Sequence, residues 1–319
     1  MIITDFFATT AALKEFIRGI SIDTGLESFA PMYRHAAKKL VKLVGVETYD
    51  LLAAHVKTPP NPEVPVLDLA VEYVRATLAN LLAIAWFNFD AGERNAAEKK
   101  LYRYQEDKII ESYLENAWAE FDQLVAHMET DIAAAAASET VPPYATPFTD
   151  FEDSDLFRER QDLYITSAAE FDKYYGIDSS SYFYFNAIFI QKEVEEEEIT
   201  PRVKTIPTIT VDEVEVDDPD FLRIIKKAIA FETVARACQR FDYTELPKSL
   251  RNDIIKEIGG SANRNEMGSI KDSLYARLHA KALKYFQDIE FKLKLASATA
   301  TLVVPVAINS EDKKFYLTI

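Results

Sequence analysis

The pattern of one helical unit occurs twice in this sequence. The tetrad at residues 9–12, TTAA, is followed by Gly19, and the tetrad at residues 166–169, TSAA, is followed by Gly176, a shift of 157 residues. The hydroxyl residues suit helix N-termini, and each glycine suits a left-handed helix stop. A repeated unit of this kind predicts two similar helical bundles arranged in tandem.

Two further similarities run in the same order. The first is an apolar rhythm, formed in one half by Leu67, Ala70, Val74, Leu78 and Leu82 and in the other by Leu222, Ile225, Ile229, Val234 and Ala237. The second is FDQL at residues 121–124 against FQDI at residues 286–289. The alternative interpretation is that any two helical stretches can be brought into partial register.

The predicted fold class is mainly α, with two tandem helical-bundle repeats and a small β-arm and C-terminal hairpin on the second repeat. Residues 1–135 form the first repeat, 136–150 a linker, 151–296 the second repeat and 297–319 a β-hairpin or tail. In the first repeat, prolines 59–65 precede a long helix to about Phe89, Gly92 gives a turn, and a second long helix runs from Glu93 to Ile132.

Alternation of β-branched and polar residues predicts strands in two places, residues 203–216 and the segment after Ser297. We expect them to form one small sheet whose edges contact other subunits or partners. The candidate interface residues are Ile206, Ile209, Val211, Leu302, Val304, Phe315, Tyr316 and Leu317.

Size and composition are typical of a folded, globular chain. The 319 residues are 48% hydrophobic and 12% aromatic, enough for two cores. We find no run of about 18 apolar residues and no signal-peptide pattern, so neither a membrane span nor export is expected. The single cysteine, Cys238, excludes a disulfide within one chain and is interpreted as a buried thiol.

The net charge of −16 is concentrated in one segment, residues 193–220, which holds 2 basic and 11 acidic side chains. This charge argues against binding nucleic acid by phosphate neutralisation. We take five residues as a candidate acidic surface: Glu193, Glu195, Glu196, Glu197 and Glu198. A calcium site there is the weaker alternative, because a contiguous run lacks the alternating ligands of a dedicated loop.

The sequence contains no motif that predicts catalysis. A phosphate loop, a dinucleotide-binding glycine motif, a zinc-protease helix and a nucleophile elbow are all missing. None of the four histidines has a glutamate three residues before it, so the pair typical of di-iron bundles does not occur. We therefore predict that the protein is not an enzyme and has no cofactor or metal. The aromatic series of Tyr182, Phe183, Tyr184, Phe185 and Phe189 is expected to be core or subunit contact.

The N-terminal phrase ITDFFATTAALKEFI at residues 3–17 and DLAVEYVRATLANLLA at residues 68–83 resemble the helical head-tail connector proteins of tailed bacteriophages. A prophage-associated structural family of about this length is more similar still. The resemblance implies a virion adaptor at the head–tail junction, present in host cytoplasm during assembly. It implies a homo-oligomeric ring, commonly twelve-fold, between portal and tail proteins, which helps to retain DNA and lets it pass without specific binding.

Usual connectors have one helical unit, whereas this chain is predicted to have two. Because the resemblance implies a DNA channel, we expect the candidate acidic surface to face that channel or solvent, where it would repel phosphates. The alternative functions are an all-helical scaffold, an assembly chaperone or a cytosolic regulatory protein, and an enzyme is a third class.

Overall fold

A computed structural model describes residues 1–17, 25–57, 65–96, 103–138, 145–211, 214–258 and 264–301. Within these residues the protein is mainly helical, with 79% helix, twelve α-helices and one small antiparallel sheet of two strands. The predicted mainly α character is therefore confirmed.

The helices are α1 (Thr10–Lys14), α2 (Ala30–Val44), α3 (Val46–Lys57), α4 (Pro65–Ala96), α5 (Arg103–Ala136), α6 (Thr149–Glu152), α7 (Asp155–Gln161), α8 (Ala168–Asp172), α9 (Ser181–Val194), α10 (Pro219–Arg240), α11 (Lys248–Ile258) and α12 (Arg264–Thr301). Short 3-10 turns cover Ile3–Asp5, Leu26–Phe29 and Tyr243–Glu245, and a π-helical turn covers Glu195–Ile199. The strands are β1 (Thr208–Val211) and β2 (Val214–Asp217).

Contacts divide the chain into two compact units that do not follow a simple N- and C-terminal split. Unit 1 comprises residues 1–189 and 240–270, and unit 2 comprises residues 190–239 and 271–319. Three long helices, α9, α10 and α12, thus contribute to both. The tandem division at residues 136–150 stays a prediction.

In unit 1, α4 and α5 pack along each other, and α2 and α3 pack on α4. The apolar rhythm predicted for α4 forms this core, since Ala70, Val74 and Leu78 are fully buried. The hydroxyl groups of Tyr33 in α2 and Tyr49 in α3 form a buried hydrogen bond, with their oxygens 2.6 Å apart. Burial raises the pKa of Tyr49 to about 12, so both phenols stay neutral.

The break between α2 and α3 is at Gly45, whose φ of 87° and ψ of 159° are open almost only to glycine. The predicted turn at Gly92 is wrong, because α4 continues as helix through that position to Ala96. α5 consequently begins at Arg103 rather than at Glu93. An isolated glycine is tolerated inside a helix when neighbouring turns keep their hydrogen bonds, at a cost of about 1 kcal/mol.

Both repeated tetrads begin short helices, as predicted. Thr9 accepts a hydrogen bond from Ala12 N, and Ser167 accepts one from Glu170 N. The two caps are 158 residues apart, one more than the predicted shift of 157. Gly176 is not a left-handed stop: α8 ends at Asp172 with a right-handed cap, and the left-handed residues are Asp178 and Ser179. Gly19 lies outside the described residues.

In unit 2, α10 and α12 supply most of the buried apolar side chains. Asp218 caps α10 by accepting from Asp220 N and Phe221 N, with Pro219 in the first turn. Phe286 and Ile289, from the predicted FQDI segment, are buried on α12. Cys238 is fully buried, and burial raises its pKa to about 12, which keeps the thiol protonated.

The predicted β-arm consists of two strands that pair with each other. β1 and β2 are antiparallel neighbours, with Ile209 opposite Val216 and Val211 opposite Val214. The expectation that this arm needs a C-terminal hairpin as its partner is therefore not met within the described residues. Ser297–Thr301 is helix, where the tail was predicted to begin, and residues 302–319 lie outside the described residues.

One helix in the described ranges is long and apolar enough to cross a membrane. It is the first part of α4, Pro65–Phe87, with a mean hydropathy of 1.3 in its most apolar window, so the expectation of no such run is corrected. Core helices of folded bundles are also long and apolar enough by this measure, and 61% of that window is buried inside the protein.

Candidate functional site

The acidic run lies where α9 changes from α-helical to π-helical turns. Thr200 N donates to Glu195 O at 2.8 Å, which is the i→i+5 bond of a π turn. The wider turn distributes the glutamates over several directions. Glu196 and Glu197 are exposed, Glu193 and Glu198 are half-buried, and Glu195 is buried.

Arg236 of α10 gathers three of these glutamates. Its Nη1 lies 2.9 Å from Glu193 Oε1 and 2.7 Å from Glu197 Oε2, and its Nη2 lies 3.5 Å from Glu198 Oε1. The guanidinium is planar and presents its donors as a fork, which a lysine ammonium does not. The acidic run is thus one half of an ion-pair cluster rather than a surface of unpaired charge.

A fourth carboxylate, Glu232, extends this cluster into the interior of unit 2. Arg236 Nε lies 2.9 Å from Glu232 Oε1, and His279 Nδ1 lies 2.7 Å from Glu232 Oε2. The side chain of Glu232 is only 2% exposed. Burial lowers the pKa of Arg236, but the hydrogen bonds to Glu232 and Glu197 outweigh this and raise it above its ordinary value.

Glu195 is held separately, on the buried side of the π turn. Its Oε1 accepts from Gln191 Nε2 at 3.0 Å. Arg202 closes the other end of the turn by donating to Glu198 Oε2, and its Nε lies 3.3 Å from Glu290 Oε1 of α12. These contacts fix the acidic run in place within unit 2.

A signal for this cluster is present in the sequence, although the cluster was not predicted from it. Glu232 and Arg236 are four residues apart on α10, and so are Glu193 and Glu197 at the end of α9. Such spacing puts each pair on one helix face. The sequence does not show that these two faces contact each other, because that contact depends on how α9 and α10 pack.

The candidate interface residues that the structure describes are partly exposed. Ile209 is 39% exposed and Val216, opposite it in the hairpin, is 40% exposed. Ile206 is half-buried. The side chain of Val211 and the residues Leu302, Val304, Phe315, Tyr316 and Leu317 lie outside the described part of the chain.

A second exposed apolar row was not predicted. On α12, Leu283 is 42%, Phe291 68% and Leu295 57% exposed, and the spacing of four residues puts Phe291 and Leu295 on one face. Lys292 of the same helix lies 3.9 Å from Asp218, the residue that follows β2. The end of the hairpin thus contacts α12 within unit 2. We call Ile209, Val216, Leu283, Phe291 and Leu295 the apolar patch.

The residues that the structure describes form no metal centre. In those ranges no group of three or more His, Cys, Asp or Glu side chains could hold a metal ion. Of the predicted aromatic series, Tyr182, Phe183, Tyr184 and Phe185 are buried and belong to the core, whereas Phe189 is 49% exposed.

Comparison with known proteins gives no match, whether with protein-family models, with curated proteins or with solved structures.

Proposed function

We propose that this chain is a structural adaptor of a tailed-phage virion: a head-tail connector that forms a homo-oligomeric ring between portal and tail. DNA passes through the ring, and the protein helps to retain it. The N-terminal sequence resemblance suggests this class, and the mainly helical fold is compatible with it. The proposal places the protein at the head–tail junction of the virion, and in host cytoplasm during assembly.

The apolar patch is the observation that carries the proposal. Phe291 is 68% exposed and Leu295, one turn further along α12, is 57% exposed, and the hairpin of the same unit has an exposed apolar pair of its own. Contiguous exposed apolar residues on a folded protein usually mark a contact with another protein. A head-to-tail contact of this kind, repeated between identical subunits, generates a closed ring when its rotation closes.

Charge supports the idea that DNA is not bound. The chain carries 52 acidic and 36 basic side chains, and phosphate binding requires clustered Lys and Arg. Because Glu193, Glu197 and Glu198 already pair with Arg236, we assign the repulsion of DNA in a channel to Glu196, which is exposed, and to the overall charge.

We further propose that the chain arose by tandem duplication of one helical unit. Two features support this: the short helices α1 and α8 are each five residues long and hydroxyl-capped, and FDQL and FQDI lie on long helices with their apolar residues buried. In this proposal one copy builds the ring and the other meets a partner protein.

Assembly with a portal tests the function. Purified full-length chain, alone and mixed with the portal protein of the same phage or prophage, should give rings in negative-stain electron microscopy. Monomers under both conditions, without co-elution from a sizing column, would reject the connector and favour a scaffold, chaperone or regulator.

A truncation tests the proposed role of the tail. A chain ending at Thr301 keeps every described helix, so its helical circular dichroism should be nearly that of the full chain. If residues 302–319 contact a neighbouring subunit or the portal, the truncated chain should fail to assemble. Normal rings from the truncated chain would refute that role.

A further inference from the structure

A cavity of about 180 Å³ lies in unit 1 between α5, the start of α9 and the segment that leads into α11. Its wall includes Trp118, Tyr182, Lys248 and Arg251. A cavity of about 150 Å³ is large enough for one benzene ring. The space therefore fits a single ring that carries one small substituent.

Arg251 is the unusual member of this wall. Its side chain is only 2% exposed, and a buried guanidinium normally makes hydrogen bonds with most of its donors. Among the residues that the structure describes, neither its Nε nor its Nη1 has a hydrogen-bond partner. Leaving a buried donor unpaired costs about 1–3 kcal/mol, and more when the group is charged.

A second donor in the same wall also lacks a hydrogen-bond acceptor among the described residues. Trp118 Nε1 is buried and, in the described part of the chain, makes no hydrogen bond. The Trp118 ring stacks on Tyr182 with ring centroids 3.3 Å apart and planes 13° from parallel, so its orientation is fixed. Two fixed donors, from α5 and from α11, thus border one cavity and lack acceptors.

The carboxylates around the cavity are, in contrast, already engaged. Asp122 Oδ1 accepts from Tyr182 N, Asp178 Oδ2 from Ser249 N, and Glu245 Oε2 from Asp242 N. Glu115 pairs with Lys248 at 2.9 Å. The wall therefore offers free donors but few free acceptors, and the ligand must supply acceptor atoms.

The charge of the ligand follows from the surroundings of Arg251. Its Nη1 lies 3.5 Å from Glu111 Oε1 and its Nη2 lies 3.9 Å from Glu115 Oε1, so its positive charge is already compensated. Asp178 and Glu245 add further negative charge to the wall. An anionic ligand would be repelled by them, and a cationic ligand would face the unpaired donors.

We propose that this cavity binds a small, neutral, ring-sized molecule whose carbonyl or amide oxygen accepts hydrogen bonds from Arg251 and Trp118. The aromatic pair provides an apolar wall for the ring, and the two donors orient the oxygen. This site is separate from the apolar patch and does not depend on the proposed connector function.

Three probes of equal shape and different charge test the proposal: benzamide, benzoate and benzylamine. The chain contains two tryptophans, Trp86 and Trp118, so ¹⁵N-labelled full-length protein gives two indole N–H signals. Benzamide should shift the Trp118 signal saturably and leave Trp86 unchanged. It should bind at least about tenfold more tightly than the other two probes, the factor that one hydrogen bond to a charged donor supplies.

Variants identify the donors. Trp118→Phe keeps the aromatic wall but removes Nε1, and Arg251→Met removes the guanidinium; each should weaken benzamide binding about tenfold, measured by saturation-transfer NMR on the ligand. Lys256→Met is the matched control on the same helix, because Lys256 lies outside the cavity wall, pairs with Asp253 and is 76% exposed, and it should change the affinity less than threefold. The Trp86 signal reports whether each variant is folded.

Each other result would overturn the proposal. Without a saturable shift for any probe, the cavity holds only water. If benzoate or benzylamine binds most tightly, the ligand is charged and the assigned class is wrong. If Trp118→Phe binds benzamide as well as the original chain does, the indole donor has no role, even when Arg251→Met fails to fold.

Discussion

At the scale of single residues, Arg236 holds the acidic run of unit 2 together. It contacts Glu193, Glu197, Glu198 and Glu232, and its own side chain is only 14% exposed. Clusters of this kind contribute less by attraction than they cost when one member is removed, because the remaining charges stay buried without a partner.

Replacing Arg236 with methionine should therefore destabilise the protein strongly. We expect Arg236→Met to lower the free energy of unfolding by about 3 kcal/mol, since Glu232 keeps only His279 as a partner. Urea denaturation followed by circular dichroism measures this.

The control is Arg223→Met on the same helix. Arg223 is 61% exposed and pairs with the equally exposed Asp220, so its loss should cost less than about 1 kcal/mol. Equal effects of the two substitutions would show that the cluster adds nothing beyond an ordinary surface pair.

Asp122 gives unit 1 a specific pH dependence. Burial raises its pKa to about 7 from 3.8, although hydrogen bonds from the backbone of Tyr182 and Ser181 lower it in part. The folded protein thus binds this proton more tightly than the unfolded chain. Its contribution to stability is present below about pH 4 and is lost as the pH rises to 7.

Asp122→Asn should remove this dependence while it keeps the oxygen that accepts from Tyr182 N. Relative to the variant, the original chain should lose up to about 1.4 kcal/mol of unfolding free energy per pH unit between pH 4 and 7. Denaturation series at several pH values give the difference. Parallel curves for the two proteins would contradict the raised pKa.

At the scale of elements, two glycines at or near helix ends differ in backbone conformation. Gly45 separates α2 from α3, and its backbone conformation is one that other residues rarely adopt. Gly176, predicted to stop a helix in the same way, has no positive φ, and an added Cβ there would meet nothing within 4 Å.

Alanine substitution distinguishes the two positions. Gly45→Ala should cost about 1–3 kcal/mol through backbone strain, although an added Cβ has room there. Gly176→Ala should be neutral or stabilise by about 0.4–1 kcal/mol, because alanine restricts the unfolded chain. Thermal denaturation of both variants checks this, and equal midpoints would reject the assignment.

Periodicity and capping residues were sufficient to predict most helices and the β-arm. The apolar rhythm of α4, the cap of α10 by Asp218 and the strands near Ile209 all follow from local sequence. The features that were not predicted depend on packing between distant segments. Arg236 is about 40 residues away in sequence from the glutamates that it contacts. Arg251 borders the same cavity as Trp118 only because α11 packs near α5.

At the scale of the whole molecule, the apolar patch should control self-association. Phe291→Lys with Leu295→Lys adds charge to two exposed positions, so folding stability should change by less than about 1 kcal/mol. If the patch is the subunit contact, this variant should remain monomeric by mass photometry. Gln287→Lys, also exposed on α12, is the control and should assemble normally.

Ring formation on a portal is the central claim, and one measurement tests it most directly. Negative-stain images of full-length protein mixed with its portal should show an added ring of constant copy number, and the Phe291→Lys, Leu295→Lys variant should lack it. Bare portals in every image, together with a monomeric mass for the free protein, would contradict the connector function.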